Sequence, residues 1–293
     1  MKQQLVKAST TDQLELEVWD HTVQVVPTSA KVSIIVDGST DVSLATATIS
    51  GTGTCSYVPG ATILDELVEN CVAVWKLTIG SEYKYFRDMF DVVLNPLYPA
   101  VTDEDLIAEC AQLQDTKYME AGIADSGTTV TLVAVALKEY QDNHFQGGTL
   151  EITDGACKGQ KQRISGNTRS TGTITVDTTF GSALTATSRF IARRTFQREI
   201  DRAWEDVMAM VQTKGYRPAL IMNSEDLRPV HLAWTLVKIC RNLSKSPDDL
   251  WWQRANIYVE DYTNKMNMVK FNYDSDEDQW PDSSLSFRAA LRR

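Results

Sequence analysis

The segment Gly147–Lys161, GGTLEITDGACKGQK, places an alternating, strand-like run directly before a loop that contains glycines and lysines. A loop that binds nucleotide phosphates has the pattern GxxxxGK[ST] and opens a helix, so that backbone amides, the lysine and a hydroxyl converge on one triphosphate. Here Gly155 and Gly159 are one residue too close together. Gln160 separates the second glycine from Lys161, and neither serine nor threonine follows that lysine. The segment therefore predicts a turn between two antiparallel strands, not the phosphate-binding loop of an α/β enzyme.

Alternating segments on both sides extend this β region over residues 125–193. Its other strand-like runs are TTVTLVAVAL (128–137), KQRISG (161–166) and GTITVDTTF (172–180), and they are separated by glycine, asparagine, aspartate and serine. Short alternating runs between turn-forming residues are typical of an antiparallel sheet. We therefore expect a small β domain here.

One helix precedes this β region. Thr102 can cap its amino terminus, and three acidic residues (103–105) follow in the first turn, where carboxylates favour the positive end of the helix dipole. Gly122 is placed to end the helix. The apolar positions, at helical spacing, are Leu106, Ile107, Cys110 and Leu113.

Three helices follow the β region. The first has apolar residues at three- and four-residue steps from Phe196, and Gly215 is placed to stop it. Pro229 suits the first turn of the second helix. The third begins at residues 246–249, with Ser246 as its cap, a proline in the first turn and two acids after it, and it reaches about 268–271.

The order of these elements predicts a discontinuous helical domain. A single helix cannot bury its apolar stripe alone, so we expect the first helix to pack against the later three. Residues 99–122 and 194–271 would then form one helical domain, and residues 125–193 would be a β domain inserted into it.

The first 96 residues are predicted to form β structure. Gly80 and Ser81 lie between two long alternating segments, VAVWKLTIG and EYKYFRDMFDVV, which is the pattern of a hairpin. Several short strands at this spacing favour a small antiparallel sandwich of immunoglobulin-like size. Asn95–Pro99, with two prolines, is typical of a linker. The fold class expected for the whole chain is multidomain α+β.

Composition narrows the classes of function. The formal charge of −10 argues against a general nucleic-acid binder, and no apolar run approaches the roughly 20 residues of a membrane helix. The amino terminus has no signal-peptide pattern, so we expect synthesis in a cytoplasm. The five cysteines are odd in number, widely spaced and without a CxxC pair. This pattern predicts reduced, mostly buried thiols rather than disulfides or a zinc site. The cysteines are Cys55, Cys71, Cys110, Cys157 and Cys240.

Catalytic and metal-binding patterns are weak. None of the three histidines has a second ligand at metal-binding spacing, no GxSxG motif is present, and His231 is expected to be half-buried near a helix start. The acidic run after Tyr273 imitates the opening of an EF-hand loop. It has Gln279 where that loop needs glycine and Leu285 where it needs glutamate, so a flexible acidic tail is expected.

Trp251 and Trp252 are adjacent on the last helix. Adjacent helix positions point about 100° apart, so one ring can face the domain core and the other a neighbouring subunit. The alternative is that both rings belong to one wide core face.

The helical segments VTDEDLIAECAQL and LRPVHLAWTLVKICRNLSKSPDDLWWQRANIYVEDYTNKMNMVKFNYDSDED resemble the head-tail adaptor (connector) proteins of tailed bacteriophages. The resemblance covers about Pro99–Gly122 and Phe196–Asp278. The run GGTLEITDG…KGQKQRISG…TGTITVDTTF is similar to a small β module of phage neck and tail proteins. The first 96 residues are similar to immunoglobulin-like domains that phage structural proteins carry.

This resemblance implies a structural protein of the virion neck, without enzymatic activity, cofactor or metal. It would be made in the host cytoplasm and form a ring, typically of twelve copies, between the portal protein and the tail or a stopper protein. Genomic DNA would pass through the ring without sequence-specific binding, and no membrane is involved. Residues 272–293 would be a docking tail. The candidate interface residues are Trp251, Trp252, Phe271, Tyr273, Trp280, Phe287 and Arg288.

Two other functions stay open at this point. One is a phage tail structural protein whose β modules bind carbohydrate or a receptor. The other is a hydrolase with a divergent site, which predicts a deep polar pocket holding an acid–base pair with perturbed pKa values.

Overall fold

The computed structural model describes residues 2–20, 23–115, 118–277 and 280–286. It is a mixed α+β structure with sheets of five, three and seven strands and a C-terminal helical region of about four helices. The chain divides into two compact units. The first comprises Met1–Ala100, Glu205–Val230 and Thr263–Arg293, and the second Val101–Trp204 and His231–Tyr262.

Strands of the first unit form a five-stranded sheet in the order β1-β10-β9-β5-β6, a three-stranded sheet β2-β8-β7 and the pair β3-β4. Their bounds are β1 Gln3–Val6, β2 Leu14–Glu17, β3 Trp19–Asp20, β4 Val23–Gln24, β5 Ser29–Val36, β6 Ser39–Thr46, β7 Thr48–Ile49, β8 Thr54–Tyr57, β9 Cys71–Ile79 and β10 Glu82–Val93. All neighbours are antiparallel except β1 and β10, which run parallel with Gln3 opposite Phe90.

The core of the first unit is formed by every second side chain of its strands, as in β9, where buried and partly buried residues alternate. Trp75 of β9 and Phe90 of β10 are fully buried, and residues of both the five-stranded and the three-stranded sheet share one apolar cluster with them. The predicted hairpin at Gly80 and Ser81 is confirmed, with Ile79 opposite Glu82. Gly80 has φ +63°, which suits the first central position of a type II′ turn and is easy only for glycine.

The helices mostly begin where the sequence predicts. They are α1 Ala61–Leu64, α2 Asp103–Glu109, α3 Gln197–Thr213, α4 Arg228–Leu243 and α5 Leu250–Met268, and 3₁₀ turns cover Ala111–Asp115, Val135–Glu139, Pro218–Leu220 and Ser224–Leu227. Thr102 caps α2 in a capping box with Asp105. Gly215, at φ +86°, follows the end of α3, where the Tyr216 N–H donates back to the carbonyl of Val211.

The expected end of the first helix at Gly122 is wrong. The helix ends at Glu109, and residues 119–123 form a strand instead. A side chain at position 122 would come within 3.3 Å of the Phe190 ring of the neighbouring strand. Glycine is there to admit that ring, not to end a helix.

Strands of the second unit form one antiparallel seven-stranded sheet in the order β11-β17-β14-β15-β16-β13-β12. Their bounds are β11 Met119–Ile123, β12 Ser126–Gly127, β13 Thr131–Val133, β14 Thr149–Asp154, β15 Lys161–Thr168, β16 Thr173–Val176 and β17 Arg189–Arg193. The predicted turn between β14 and β15 is confirmed, with Glu151 opposite Lys161. The run expected to be a strand through Leu137 is one only over β13, and a 3₁₀ turn follows it.

A helical core lies in the same unit. Leu106, Cys110 and Leu113, from α2 and the turn after it, belong to one apolar cluster with residues of α3 and α4, and side chains of α5 pack against it. The other buried members are Val101, Tyr118, Phe196, Ile200, Leu236 and Ile239. The expectation that the first helix packs against the later helices is therefore confirmed.

The C-terminal segment of the first unit is a hairpin rather than the expected flexible tail, as far as the described residues reach. β18 (Lys270–Tyr273) pairs antiparallel with β19 (Ser283–Ser286). Across the described residues, none of the helices is both long enough and apolar enough to cross a lipid bilayer.

Candidate functional site

Helix α5 begins at a capped turn that fixes the direction of its two tryptophans. The Asp249 carboxylate accepts hydrogen bonds from the backbone N–H of Lys245 at 2.5 Å and of Trp252 at 2.7 Å. These bonds lower the pKa of Asp249 to about 2. The sequence predicts Ser246 as the cap, which is wrong. The carboxylate replaces it because an ionised acceptor binds several backbone donors more strongly than a hydroxyl.

Trp251 and Trp252 point to different surroundings. Trp251 is half-buried and packs against the helical core, with the Arg254 guanidinium 5.9 Å from its ring centre. Trp252 is 37% exposed. This is the arrangement in which one ring serves the core and the other faces outward. That a neighbouring subunit covers Trp252 stays a prediction.

A groove of about 440 Å³ runs along the outer side of α5. Leu250 and Ile257, two turns apart, are 56% and 65% exposed within it. Such a pair of exposed aliphatic side chains is more apolar than a solvated helix face requires. The groove is lined by Glu109, Leu250, Gln253, Arg254, Ile257 and Tyr258.

Arg254 anchors the floor of this groove. Its Nη1 donates to Gln112 Oε1 at 3.0 Å and approaches Cys110 Sγ at 3.5 Å. Its buried Nε has no hydrogen-bond partner among the described residues. The guanidinium therefore joins the end of α2 to α5 and leaves a cationic group at the groove.

The Cys240 thiol and the Tyr258 phenol, which lie close to Arg254 and Cys110, stay protonated at neutral pH. Burial raises the pKa of Cys240 to about 12, and burial followed by the influence of Cys110 raises the pKa of Tyr258 above its ordinary value. Because the thiolate is the nucleophile, a Cys240 thiol that stays protonated at neutral pH is unreactive. All five cysteines are free and buried, as predicted.

His231 is fully buried rather than half-buried as predicted. Its Nε2 lies 2.9 Å from the carbonyl oxygen of Ile200, and its ring lies 5.0 Å from that of Trp204. Burial lowers the pKa of this histidine below its ordinary value. The side chain connects α4 to α3 in the core and offers no surface for catalysis.

Two aromatic residues predicted to dock the tail onto a partner, Phe271 and Tyr273, make contacts within the first unit. Phe271 is 1% exposed and meets the Tyr216 ring edge-on at 5.2 Å. Tyr273 packs against a small apolar cluster, and its hydroxyl accepts a hydrogen bond from the Arg217 N–H at 3.3 Å. The prediction that the Phe271 side chain contacts a partner protein is therefore wrong. Trp280 is 74% exposed, so its predicted contact with a partner stays a prediction. The remaining two candidates, Phe287 and Arg288, lie outside the described residues.

Three carboxylates converge on the turn of this hairpin. Asp274, Asp276 and Asp282 each bring an oxygen within 4.8 Å of the others, and Asp274 is buried. Asp282 accepts hydrogen bonds from both the hydroxyl and the N–H of Ser275, which lower its pKa. Carboxylate oxygens suit Ca²⁺, but that ion takes about six to eight oxygens, so the cluster alone defines no metal site.

Sequence reasoning missed the groove on α5. The signal was available in Leu250 and Ile257, which share a helix face with the charged Arg254, but the pattern equally fits core positions. Comparison with known proteins does not add to this picture: no protein-family model matches the chain, and no curated protein matches it significantly.

Proposed function

We propose that the chain is a structural virion protein of a tailed bacteriophage, a head-to-tail adaptor. Its copies form a ring that joins the portal of the DNA-filled capsid to the tail or a stopper ring and lines part of the DNA channel. The observation that carries this proposal is the core that α2 shares with α3 and α4. That core unites stretches from both sides of an antiparallel sheet, as expected for the helical adaptor domain that these stretches resemble.

The finer architecture belongs to the same proposal. A five-stranded and a three-stranded sheet around the buried Trp75 support an immunoglobulin-like sandwich in the first 96 residues. The seven-stranded sheet supports an inserted β domain of the phage neck type. In this proposal the sandwich and the inserted β domain are both structural, and the protein has no catalytic activity.

A ring needs a surface for its lateral contacts. Subunits of a cyclic ring meet head to tail, so one surface of a copy contacts a different surface of the next. The groove on α5 suits one side of such a contact because Leu250 and Ile257 supply apolar area and Arg254 a cation. Trp252, in the first turn of α5 and 37% exposed, adds an aromatic side chain of a type that is enriched at protein interfaces.

The negative charge suits a DNA channel. A formal charge of −10, if concentrated on the lumen, repels the phosphate backbone and limits sticking of the passing genome. Reversing lumen-facing aspartates and glutamates to lysine then slows DNA exit. Unchanged ejection rates in such variants contradict this part of the proposal.

The proposal is tested on the full chain mixed with its cognate portal protein. Native mass spectrometry and negative-stain images are expected to show a ring of copies on the portal. Ile257→Asp abolishes ring formation because it buries a charge in the lateral contact, while Asn267→Asp, an exposed site on the same helix with the same charge change, leaves it intact. A portal that remains bare with the wild-type chain contradicts the proposal. A monomer without portal does not, because the portal can template the ring.

A test of the tail cannot use truncation after Lys270, because this removes Phe271 from the core of its own unit. Trp280→Ala is the cleaner variant, since that ring is mostly exposed. We expect weaker portal binding with unchanged thermal stability. Equal binding by Trp280→Ala and wild type contradicts a docking role for the described part of the tail.

The second candidate function is a phage tail protein whose β module binds carbohydrate. Tyr83 and Tyr85 favour it, because both rings are about two-thirds exposed on one face of β10. The Lys76 ammonium lies 4.2 Å from the Tyr83 ring centre and 6.0 Å from that of Tyr85. Binding of the full chain to a glycan array, lost in Tyr85→Ala, would support this function over the adaptor.

A further inference from the structure

The five-stranded sheet of the first unit has an open edge. β10 has β9 on one side along its whole length, but β1 covers its other side only from Phe90 onward. Over Glu82–Met89, therefore, one side of the strand pairs with no strand in the described part of the chain. A long exposed edge is a template for pairing with another strand unless charge, proline or a bulge blocks it. This stretch contains no proline, and its pairing with β9 is unbroken. Its charged residues are two acidic and two basic ones, so no charge of a single sign repels an approaching strand.

The direction of the backbone groups follows from the two-residue turn. Because Ile79 and Glu82 flank that turn as a hydrogen-bonded pair, every second residue from Glu82 onward bonds to β9. The N–H and C=O groups of Tyr83, Tyr85 and Arg87 therefore point away from the sheet. Among the described residues, none of these groups has a backbone partner beyond the hairpin.

The side chains of this edge are complementary to themselves. We propose that β10 pairs antiparallel with β10 of a second copy about a two-fold axis at Phe86. In this register Tyr85 lies opposite Arg87 of the other copy, and Lys84 lies opposite its Asp88. The outermost pair is Tyr83 with Met89. Each contact occurs twice, because the pairing is symmetric.

Each of these side-chain pairs is of a type that stabilises paired strands or interfaces. Lys84 and Asp88 are opposite charges in a pair where side chains approach closely. The Arg87 guanidinium can stack on the Tyr85 ring, and the Met89 sulfur meets the Tyr83 ring. Phe86, partly buried against its own core, meets its symmetry mate and continues the apolar layer across the junction.

Neighbouring registers are unfavourable, which makes this one specific. A shift of two residues in one direction places Glu82 opposite Asp88, and a shift in the other direction places Arg87 opposite Arg87. Like charges directly opposite destabilise a strand pair. A shift of one residue sets the outward-facing tyrosines against the core side of the second copy.

Composition and exposure support a protein partner. Tyr83, Tyr85 and Met89 are 66%, 64% and 52% exposed, and tyrosine, methionine and arginine are enriched at interfaces. The open backbone groups need a strand, and only a protein supplies one. An edge of this length buries less than the roughly 800 Å² per partner of a standard interface, so the dimer is weak and concentration-dependent.

The pairing goes beyond the proposed adaptor ring. A cyclic ring is built from head-to-tail contacts, whereas a two-fold contact joins identical surfaces and closes after two copies. Edge pairing thus joins free subunits, or two rings, without using the groove on α5. Loss of one contact leaves the other, so the two proposals fail independently.

The test is sedimentation equilibrium of the full chain without portal, over a range of concentrations. We expect the wild type to dimerise reversibly. Lys84→Glu and Asp88→Lys each weaken the dimer about tenfold or more, because each places like charges opposite one another twice. Mixing the two variants restores association, since each supplies the charge that the other lacks, and the double variant again self-associates. Lys270→Glu, an exposed site on β18 of the same unit, is the matched control and leaves the dimer unchanged.

A second measurement does not depend on charge. Phe86→Cys places a thiol at the axis, where the two copies of residue 86 face each other closely enough for a disulfide, so mild oxidation links the dimer. Arg87→Cys faces Tyr85 rather than itself and links poorly. A wild-type chain that stays monomeric throughout overturns the proposal and leaves the edge to a strand of a different protein. Dimers that ignore the charge variants, or cross-link equally through position 87, overturn it as well.

Discussion

Removing the side chain of Leu106 tests whether the helix before the inserted sheet is part of the same folding unit as the helices after it. Leu106 is fully buried in the cluster that also contains Phe196 and Leu236. Truncating a buried leucine to alanine loses the transfer free energy of its carbon atoms and leaves a cavity, which together cost about 3 kcal/mol. At about 1.4 kcal/mol for each factor of ten, the unfolding equilibrium of this unit then shifts by more than about 100-fold.

Hydrogen exchange followed by mass spectrometry reads this shift by segment. In Leu106→Ala, amides of α4 that exchange only through opening of the unit exchange about 100-fold faster or more, although the mutation lies in α2. Amides of β9, in the other unit, keep their rates. Ala108→Ser, an exposed site on the same helix, is the control for a local effect. Acceleration confined to residues 101–115, with α4 unchanged, refutes the reasoning that one core spans the inserted sheet.

Two further predictions concern buried titratable groups. Burial holds the pKa of His231 below the ordinary value of 6.5, so on acidification this side chain takes up its proton first in the unfolded chain. The contribution of His231 to the free energy of unfolding is therefore fully present above about pH 6.5 and is lost progressively as the pH drops below that value. Denaturant titrations at several pH values should show this slope in the wild type and a shallower one in His231→Gln, and equal slopes contradict the assignment. Burial also raises the pKa of Cys71 to about 11 and of Cys240 to about 12, so a thiol-reactive dye at pH 7.4 should label the native chain slowly and all five thiols in denaturant. Rapid labelling of native Cys240 contradicts this.

The sequence was most informative where structure is local. Thr102, Gly215 and Pro229 mark helix ends through hydrogen bonds or backbone angles within a few residues, and the structure has them in those roles. The turn at Gly80 is equally local. Signals of this kind depend on neighbours in the chain, so a single sequence contains them.

The failures share the opposite cause. The sequence around Gly122 predicts a helix end because the residue that explains this glycine, Phe190, lies 68 residues away on β17 (190 − 122), and only the paired sheet brings the two together. The sequence around Phe271 predicts an exposed docking residue because Tyr216, whose ring contacts it, is on a distant segment. The groove on α5 has no signal in the sequence for a related reason, since exposed and buried aliphatic residues have the same periodicity. The proposed self-pairing of β10 could be found only after the register with β1 showed where the edge is open.

The two ends of the inserted sheet have a consequence for how such a chain can change. β11 and β17 lie side by side with Met119 opposite Arg193, and the Arg194 N–H donates to the carbonyl of Tyr118 at 2.8 Å. The chain thus leaves the helical core and returns to it through adjacent backbone positions. A genetic exchange at that junction can swap the whole sheet for another, or for a short turn, without rethreading the helices, because closure entropy grows only slowly with loop length. Relatives of this protein are therefore expected to differ most in what stands between Tyr118 and Arg194.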